Sequence, residues 1–442
     1  MDELTRLTAP DLLDRVMSLG AVAAEIYSKE GFSLRIAATG EHALAESVVE
    51  ESGVAVRAWG RRGSEVFGTF IRDEPVGAVS ALRRIRECLS EPGSCDPPAL
   101  PASPPAGGGP RFPGPLRETV LRETRELSGR FQEIRPAFSS PIREAVRMEG
   151  AWLEAGASRD RLVNSNGFDA EREEFGWNLS LAARAAGSGD TRVGYLGRSG
   201  SRAEEFDPGT LVSEVCWRTA APLGVEGVGC GRAAVVVDTA LASDLLRSLG
   251  GLFTASEETV EALRRGDRMG PDDLRLDEIP LEPDAPGWDG EGVARGRVRI
   301  VDGGRLVGLL TDLHSSRRFD LPATGSARRP SFRDGPLAGP SRLVMSLGES
   351  EESHEELLGR LAPGLFLTTG RLLRAETGPG GALVGAGIWL DGGRVVRAVR
   401  GAVIPFRPLG LLRSICGSDS PQAWTRGSEC GCLLINPDIS PA

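Results

Sequence analysis

Three histidines, His42, His314 and His354, seven scattered cysteines and a single lysine, Lys29, bound the chemistry this 442-residue chain can carry. His354-Glu355 opens like the helix of a zinc peptidase. That helix needs a second histidine one turn on, so that both rings meet one ion. Leu358 and Gly359 fill the fourth and fifth places after His354. The pair therefore reads as a helix start with acidic residues near its positive end. Cys430-Gly431-Cys432 has one intervening residue, where zinc knuckles use two to four, and reads as small residues in a C-terminal strand. A nucleophilic serine lacks its G-x-S-x-G elbow, and Gly197-Arg198-Ser199-Gly200 reads as a turn. Nothing local supports pairing Cys416 with His314 or His354 as a thiolate and its base. A phosphate-binding G-x-x-x-x-G-K-[ST] is absent, and Gly227 to Gly231 precede a strand where a dinucleotide loop must follow one. The carboxylates Glu349, Glu351, Glu352, Glu355 and Glu356 read as a solvated face.

The elements around these residues are legible from caps and periodicity. Thr8 and Asp11 form a cap for a helix that buries Leu12, Leu13, Val16 and Leu19 and stops at Gly20. Alternation predicts strands at 32–37 and 54–59, and Gly60-Arg61-Arg62-Gly63 turns into another at 65–70. A helix follows, with Val79, Leu82, Ile85 and Leu89 on its apolar stripe. Residues 91–115 are rich in Pro and Gly and read as a linker or long surface loop. A charged helix is expected over 116–136, then strands near 151–154, 162–165 and 174–183. Ala233 to Val237 is a continuous apolar run, as in a strand buried on both faces, and Asp238 caps the helix after it. Ser256 caps another helix, and Asp391-Gly392-Gly393 suits a late hairpin. The expected organisation is α+β: an N-terminal domain over 1–90, the linker over 91–115, a central segment over 116–230 and a β-rich C-terminal domain over 231–442.

Composition narrows the class. Hydrophobic residues make up 40% and charged residues 26%, enough for a sizeable core. Net charge is −10, and the arginines are interleaved with acids, which excludes a nucleic-acid groove. An odd number of cysteines in a long chain does not suit a disulfide-stapled secreted module. Met1-Asp2-Glu3-Leu4 has no basic region ahead of an apolar one, and no apolar run nears the ~20 residues of a membrane helix. The expectation is a cytoplasmic protein.

Several segments, taken in order, resemble the TldD/PmbA family, also known as modulators of DNA gyrase. Ala24-Glu25-Ile26-Tyr27 after Gly20-Ala21 resembles its first strand, and Gly53-Val54-Ala55-Val56-Arg57 its second. Val163-Asn164-Ser165-Asn166-Gly167 resembles a family turn. Thr324-Gly325-Ser326-Ala327-Arg328-Arg329 resembles the family's "STGNARR" segment, and Val384 to Trp389 with Val399-Arg400-Gly401 its last hairpin. The TldD-type subunit of this family carries a helical HExxxH motif and a later cysteine ligand. By resemblance, the matching helix here places Arg247 and Ser248 at the histidine and glutamate positions and Leu252 at the second histidine. A guanidinium cannot replace an imidazole ligand. The resemblance therefore implies the PmbA (TldE-like) branch, with no catalytic residue and no metal in this chain. It implies a non-catalytic subunit of a two-component metallopeptidase, zinc in a TldD-like partner, and small unfolded peptides as substrates. No direct nucleic-acid or membrane partner is implied, and a homodimer is the assembly where no partner exists. Thr324, Gly325 and Arg328 are the expected peptide-chamber residues. The alternative is a regulatory binding protein with no peptidase partner.

Overall fold

The Thr8–Asp11 pair forms a reciprocal capping box, with the Thr8 hydroxyl 2.5 Å from the Asp11 carboxylate, and it starts helix α1 (Ala9–Ser18). Gly20, at φ +101°, then turns the chain into the first strand. The computed structural model describes residues 8–39, 43–72, 74–105, 114–138, 146–187, 189–224, 226–280, 287–374, 380–420 and 428–441. His42 and Gly107-Gly108-Gly109 lie outside them.

Strands β1 (Ala21–Thr39), β2 (Ala43–Gly60), β3 (Glu65–Ile71), β4 (Val146–Asn164), β5 (Asp169–Gly187) and β6 (Asp190–Gly200) form an antiparallel sheet in the order β3-β2-β1-β4-β5-β6. Stretches from both sides of the 91–115 segment thus share one sheet. Several strands are 18 or 19 residues long, well beyond the short stretches expected from alternation. Their middles are polar because charges pair across the ladder. Lys29 on β1 faces Asp160 on β4, which also takes Arg172 from β5 at 2.9 Å. Cross-strand charge pairing of this kind keeps a strand intact where the apolar pattern lapses.

Helices cover one face of this sheet. α1 and α2 (Pro75–Leu89) pack on Ile26, Val54 and Val56. α3 (Leu116–Gln132), α4 (Ile134–Phe138) and α5 (Pro208–Ala220) pack on Ile36, Leu153, Leu179 and Leu181. The linker is partly anchored: Leu100 is buried, and the Asn164 and Asn166 amides donate to the Pro101 and Leu100 carbonyls at 2.9 and 2.7 Å.

The opposite face receives the C-terminal domain. It runs β7 (Gly231–Arg232), β8 (Ala234–Val237), α6 (Thr239–Ser248), α7 (Glu257–Ala262), β9 (Arg275–Ile279), β10 (Val298–Asp302), β11 (Arg305–Leu306) and α8 (Leu313–Arg318). It continues with β12 (Ala327–Arg328), β13 (Leu337–Ala338), β14 (Arg342–Ser346), α9 (His354–Gly359), β15 (Gly364–Arg374), β16 (Gly381–Asp391) and β17 (Arg394–Phe406). It ends with α10 (Pro408–Ser414), β18 (Ile415–Ser418), β19 (Ser428–Glu429), β20 (Leu433–Ile435) and β21 (Asp438–Pro441). The main sheet has the order β18-β20-β8-β15-β16-β17-β21-β7, and a second sheet runs β11-β10-β9-β14-β19. β8 is central and buried on both faces. Val235 and Val237 join the larger core with Leu245 and Leu365, and Val236 points the other way, to Leu357 and Phe366. That two-sided burial is why its sequence is apolar without alternation.

The two domains meet through Tyr27, Ala55 and Leu162 of the first sheet and Trp288 and Phe332 of the second domain. The Phe332 ring lies where a Cβ on Gly53 would stand, 2.3 Å away, so the glycine admits it. Arg329, fully buried, pairs with Glu25 across this seam. No helix among the described residues is long and apolar enough to cross a membrane.

Candidate functional site

A cavity of about 890 Å³ opens between the two domains. Its walls come from β5 and β6 (Trp177, Arg198, Ser199), from α5 (Leu211, Glu214, Trp217, Arg218) and from the C-terminal domain (Asp238, Thr239, His354, Phe366, Cys432). Gly197 to Gly200, expected to be a turn, is the end of β6, paired with β5 from Trp177 to Ser180. The ladder overrides the local turn chemistry, and it aims Arg198 and Ser199 at the cavity.

The acids of this cavity are all engaged. Glu214 binds Arg198 and Arg218 at 2.7 Å each. Asp238, at the end of β8, caps α6 through Ala240 N–H at 3.0 Å and pairs with Arg218 at 2.7 Å. Burial raises the Asp238 carboxyl, while Arg218 pulls it down. Asp207 caps α5, accepting from Gly209 N–H and the Thr210 hydroxyl, and Glu205 accepts from Ser201 N–H. Apolar contacts complete the wall. The Trp217 and His354 rings both pack on Phe366, with centroids 5.9 and 5.8 Å away.

Beside the cavity, three side chains set aside on local pattern come together. His354 is the first residue of α9, positioned by the Ser353–Glu356 capping box. Asp419 follows β18, and Cys432 precedes β20, with which β18 pairs. The His354 Nδ1, an Asp419 oxygen and the Cys432 Sγ all lie within 4.8 Å of one another. His354 Nδ1 is 2.7 Å from Asp419 Oδ2 and 3.8 Å from Cys432 Sγ. Cys432 N–H donates to Asp419 Oδ1, and the thiol lies 3.5 Å from the Thr239 hydroxyl. The bond from Asp419 raises the His354 imidazole, and burial raises the Cys432 thiol. Gly431 makes the approach feasible: a Cβ there would stand 1.9 Å from the Asp419 carbonyl oxygen. The small residue between the two cysteines was a visible signal, but its partner was not. The cluster is not a nucleophile–histidine–acid relay, because both the thiol and the carboxylate address the same ring nitrogen.

The other expected site residues lie apart from the cavity walls. Thr324 exchanges hydrogen bonds with Thr311, its amide donating to the Thr311 hydroxyl at 3.1 Å and Thr311 N–H donating to its hydroxyl at 2.8 Å. Gly325, at φ +68°, lies against Ala294, whose oxygen would be 2.1 Å from a Cβ. Arg328 is exposed and donates to the Pro340 carbonyl. Arg247 and Ser248 end α6, at the opposite end from Asp238 and Thr239. Arg247 is exposed and paired with Asp244 at 2.9 Å, and Ser248 donates to the Leu245 carbonyl. Leu252 packs against the core. A guanidinium, a hydroxyl bonded to its own helix and an isobutyl group do not fit a zinc ion with its base. Among the described residues, the donor set that fits a cation is His354, Asp419 and Cys432.

Residues 230–438 match the model of the PmbA/TldA metallopeptidase C-terminal domain. No curated protein matches the sequence. Among solved structures, TldE from Thermococcus kodakarensis is 15% identical with a TM-score of 0.81, over 98% of this chain and 99% of that one. A candidate modulator of DNA gyrase from Bacteroides thetaiotaomicron VPI-5482 is 16% identical with a TM-score of 0.79, over 100% and 99%. A second, from Thermotoga maritima MSB8, is 18% identical with a TM-score of 0.78, over 98% and 100%. At such identities the likeness is one of fold.

Proposed function

We propose that this chain, whose residues 230–438 match the PmbA/TldA metallopeptidase C-terminal domain, is a member of the PmbA/TldD family and the non-catalytic, peptide-binding subunit of a two-component TldD/TldE-like metallopeptidase. The observation that carries the reading is the state of the interdomain cavity. It is large enough for several residues of an extended peptide, and it offers Trp177, Trp217 and Phe366 as apolar contacts. Its carboxylates are each held by an arginine or by backbone N–H groups. Peptide hydrolysis at a metal needs a carboxylate free to take a proton from the attacking water. The four acids lining this cavity are committed elsewhere, so its chemistry is recognition.

The hydrolytic zinc then belongs to a TldD-like partner subunit, and the substrates are small, unfolded peptides. His354 and Arg198, beside the cavity's apolar wall, suit main-chain carbonyls or a peptide carboxylate, to which their N–H groups can donate. The test is reconstitution. The purified chain is assayed on unstructured peptides alone and after mixing with an HExxxH-bearing homologue. Cleavage on mixing only is the expected result. Chelator-sensitive cleavage by the chain alone overturns the reading.

A further inference from the structure

We propose that His354, Asp419 and Cys432 form a binding site for one borderline divalent cation, Zn2+ by preference, with a position open to the interdomain cavity. The three donors come from the start of α9, the end of β18 and the entry to β20, so no local pattern unites them. Zinc takes nitrogen at about 2.0–2.1 Å, carboxylate oxygen at about 2.0–2.2 Å and thiolate sulfur at about 2.3 Å. Around one tetrahedral ion such atoms stand roughly 3.3–3.6 Å apart. The thiol lies 3.8 Å from His354 Nδ1, already close to that spacing. The His354–Asp419 edge, now a 2.7 Å hydrogen bond, must open by about 0.6–0.9 Å, and the Asp419–Cys432 edge, which lies within 4.8 Å, must settle to the same spacing. His354 is 40% exposed and can make that movement.

The surroundings favour a site over a chance cluster. Cys432 N–H holds Asp419 Oδ1, which leaves the other oxygen on the imidazole. Gly431 leaves the room that this contact requires. Asp419 and Cys432 are nearly inaccessible, whereas His354 and Cys432 both reach the cavity wall. An ion held by all three would keep its fourth position on the cavity side. Mixed nitrogen, oxygen and sulfur donors select zinc or cobalt over calcium and magnesium, which require oxygen ligands. On binding, the Cys432 S–H bond breaks, its proton passes to solvent and the thiolate sulfur forms the metal bond. An ion so held would fasten α9 to β18 and β20 and leave its open position to a donor atom in the cavity. The site rests on these three side chains alone and not on the peptidase reading.

The experiment uses the full-length chain without any partner. Metal content is measured by mass spectrometry, and Co2+ is titrated while the thiolate-to-cobalt charge-transfer band is followed. One equivalent and a saturable band are expected. Cys432→Ser should abolish the band, and Asp419→Asn and His354→Gln should each weaken binding by at least about tenfold. Cys416→Ser and His314→Ala, which alter an exposed thiol and an exposed imidazole elsewhere, should leave it unchanged. Absence of the band in the native chain, or its persistence in Cys432→Ser, overturns the proposal. Neither result touches the reconstitution assay, so the two readings fail separately.

Discussion

Replacing Arg329 by methionine should be among the most damaging single changes at the domain seam. Its side chain is 0% exposed and Glu25, its partner, is 1% exposed. Its Nε also donates to the Gly290 carbonyl at 2.8 Å, and its guanidinium lies 4.8 Å from the centre of the Tyr27 ring. Methionine keeps much of the volume but leaves the Glu25 carboxylate buried with Arg57 at 3.7 Å as its remaining ion pair. Breaking a buried pair by removing one partner costs about 3–5 kcal/mol, because the other charge stays in a poor solvent. The remaining arginine places the expected loss near the lower end, about 3 kcal/mol. Removing the charge from both sides, with Glu25→Gln and Arg329→Met together, should cost less than the single change. Equilibrium urea unfolding, followed by the fluorescence of the buried Trp59 and Trp288 near the seam, reads both variants. A single-variant loss below about 1 kcal/mol, or a double variant as weak as the sum of the two, would refute the reasoning.

Burial raises the Glu291 carboxyl from 4.5 to about 7, with Arg57 pulling it down and Glu25 and Asp289 pushing it up. The folded chain therefore keeps a proton that the unfolded chain releases near pH 4.5. This group's stabilisation is full below that pH and is lost as pH rises through about 7, by about 3 kcal/mol at most. Glu291→Gln should flatten that part of the pH–stability profile in denaturant titrations. Gly431→Ala brings a methyl group against the Asp419 backbone and should destabilise by about 1–3 kcal/mol, seen as a lower melting temperature. Arg247→Ala removes an exposed pair and should change the unfolding free energy, read by urea titration, by no more than about 0.5 kcal/mol.

Local chemistry made much of this molecule legible. The caps at Thr8, Asp238 and Ser256 begin helices where a short polar side chain meets orphan N–H groups, a relation confined to three residues. The glycines of the Asp391-Gly392-Gly393 turn and the apolar Val235 to Val237 run are equally local. The resemblance to a family spans the chain, and the structure accounts for several of its motif residues. Asn164 and Asn166 anchor the linker, Gly53 admits Phe332, and Arg329 closes the seam. Strand length was not legible, because Lys29, Asp160 and Arg172 look like loop residues until the ladder sets them opposite one another.

The cavity and its cluster belong wholly to the tertiary structure. His354 stands 65 residues from Asp419 and 78 from Cys432, each on a separate element. A helix cap or an alternating strand acts over a few residues and can be read in order. A donor set depends on where distant segments are packed, and here that was decided by β8, β18 and β20 lying side by side with α9 against Val236 and Phe366. The sequence determined which side chains could bind; the sheet order determined which of them meet.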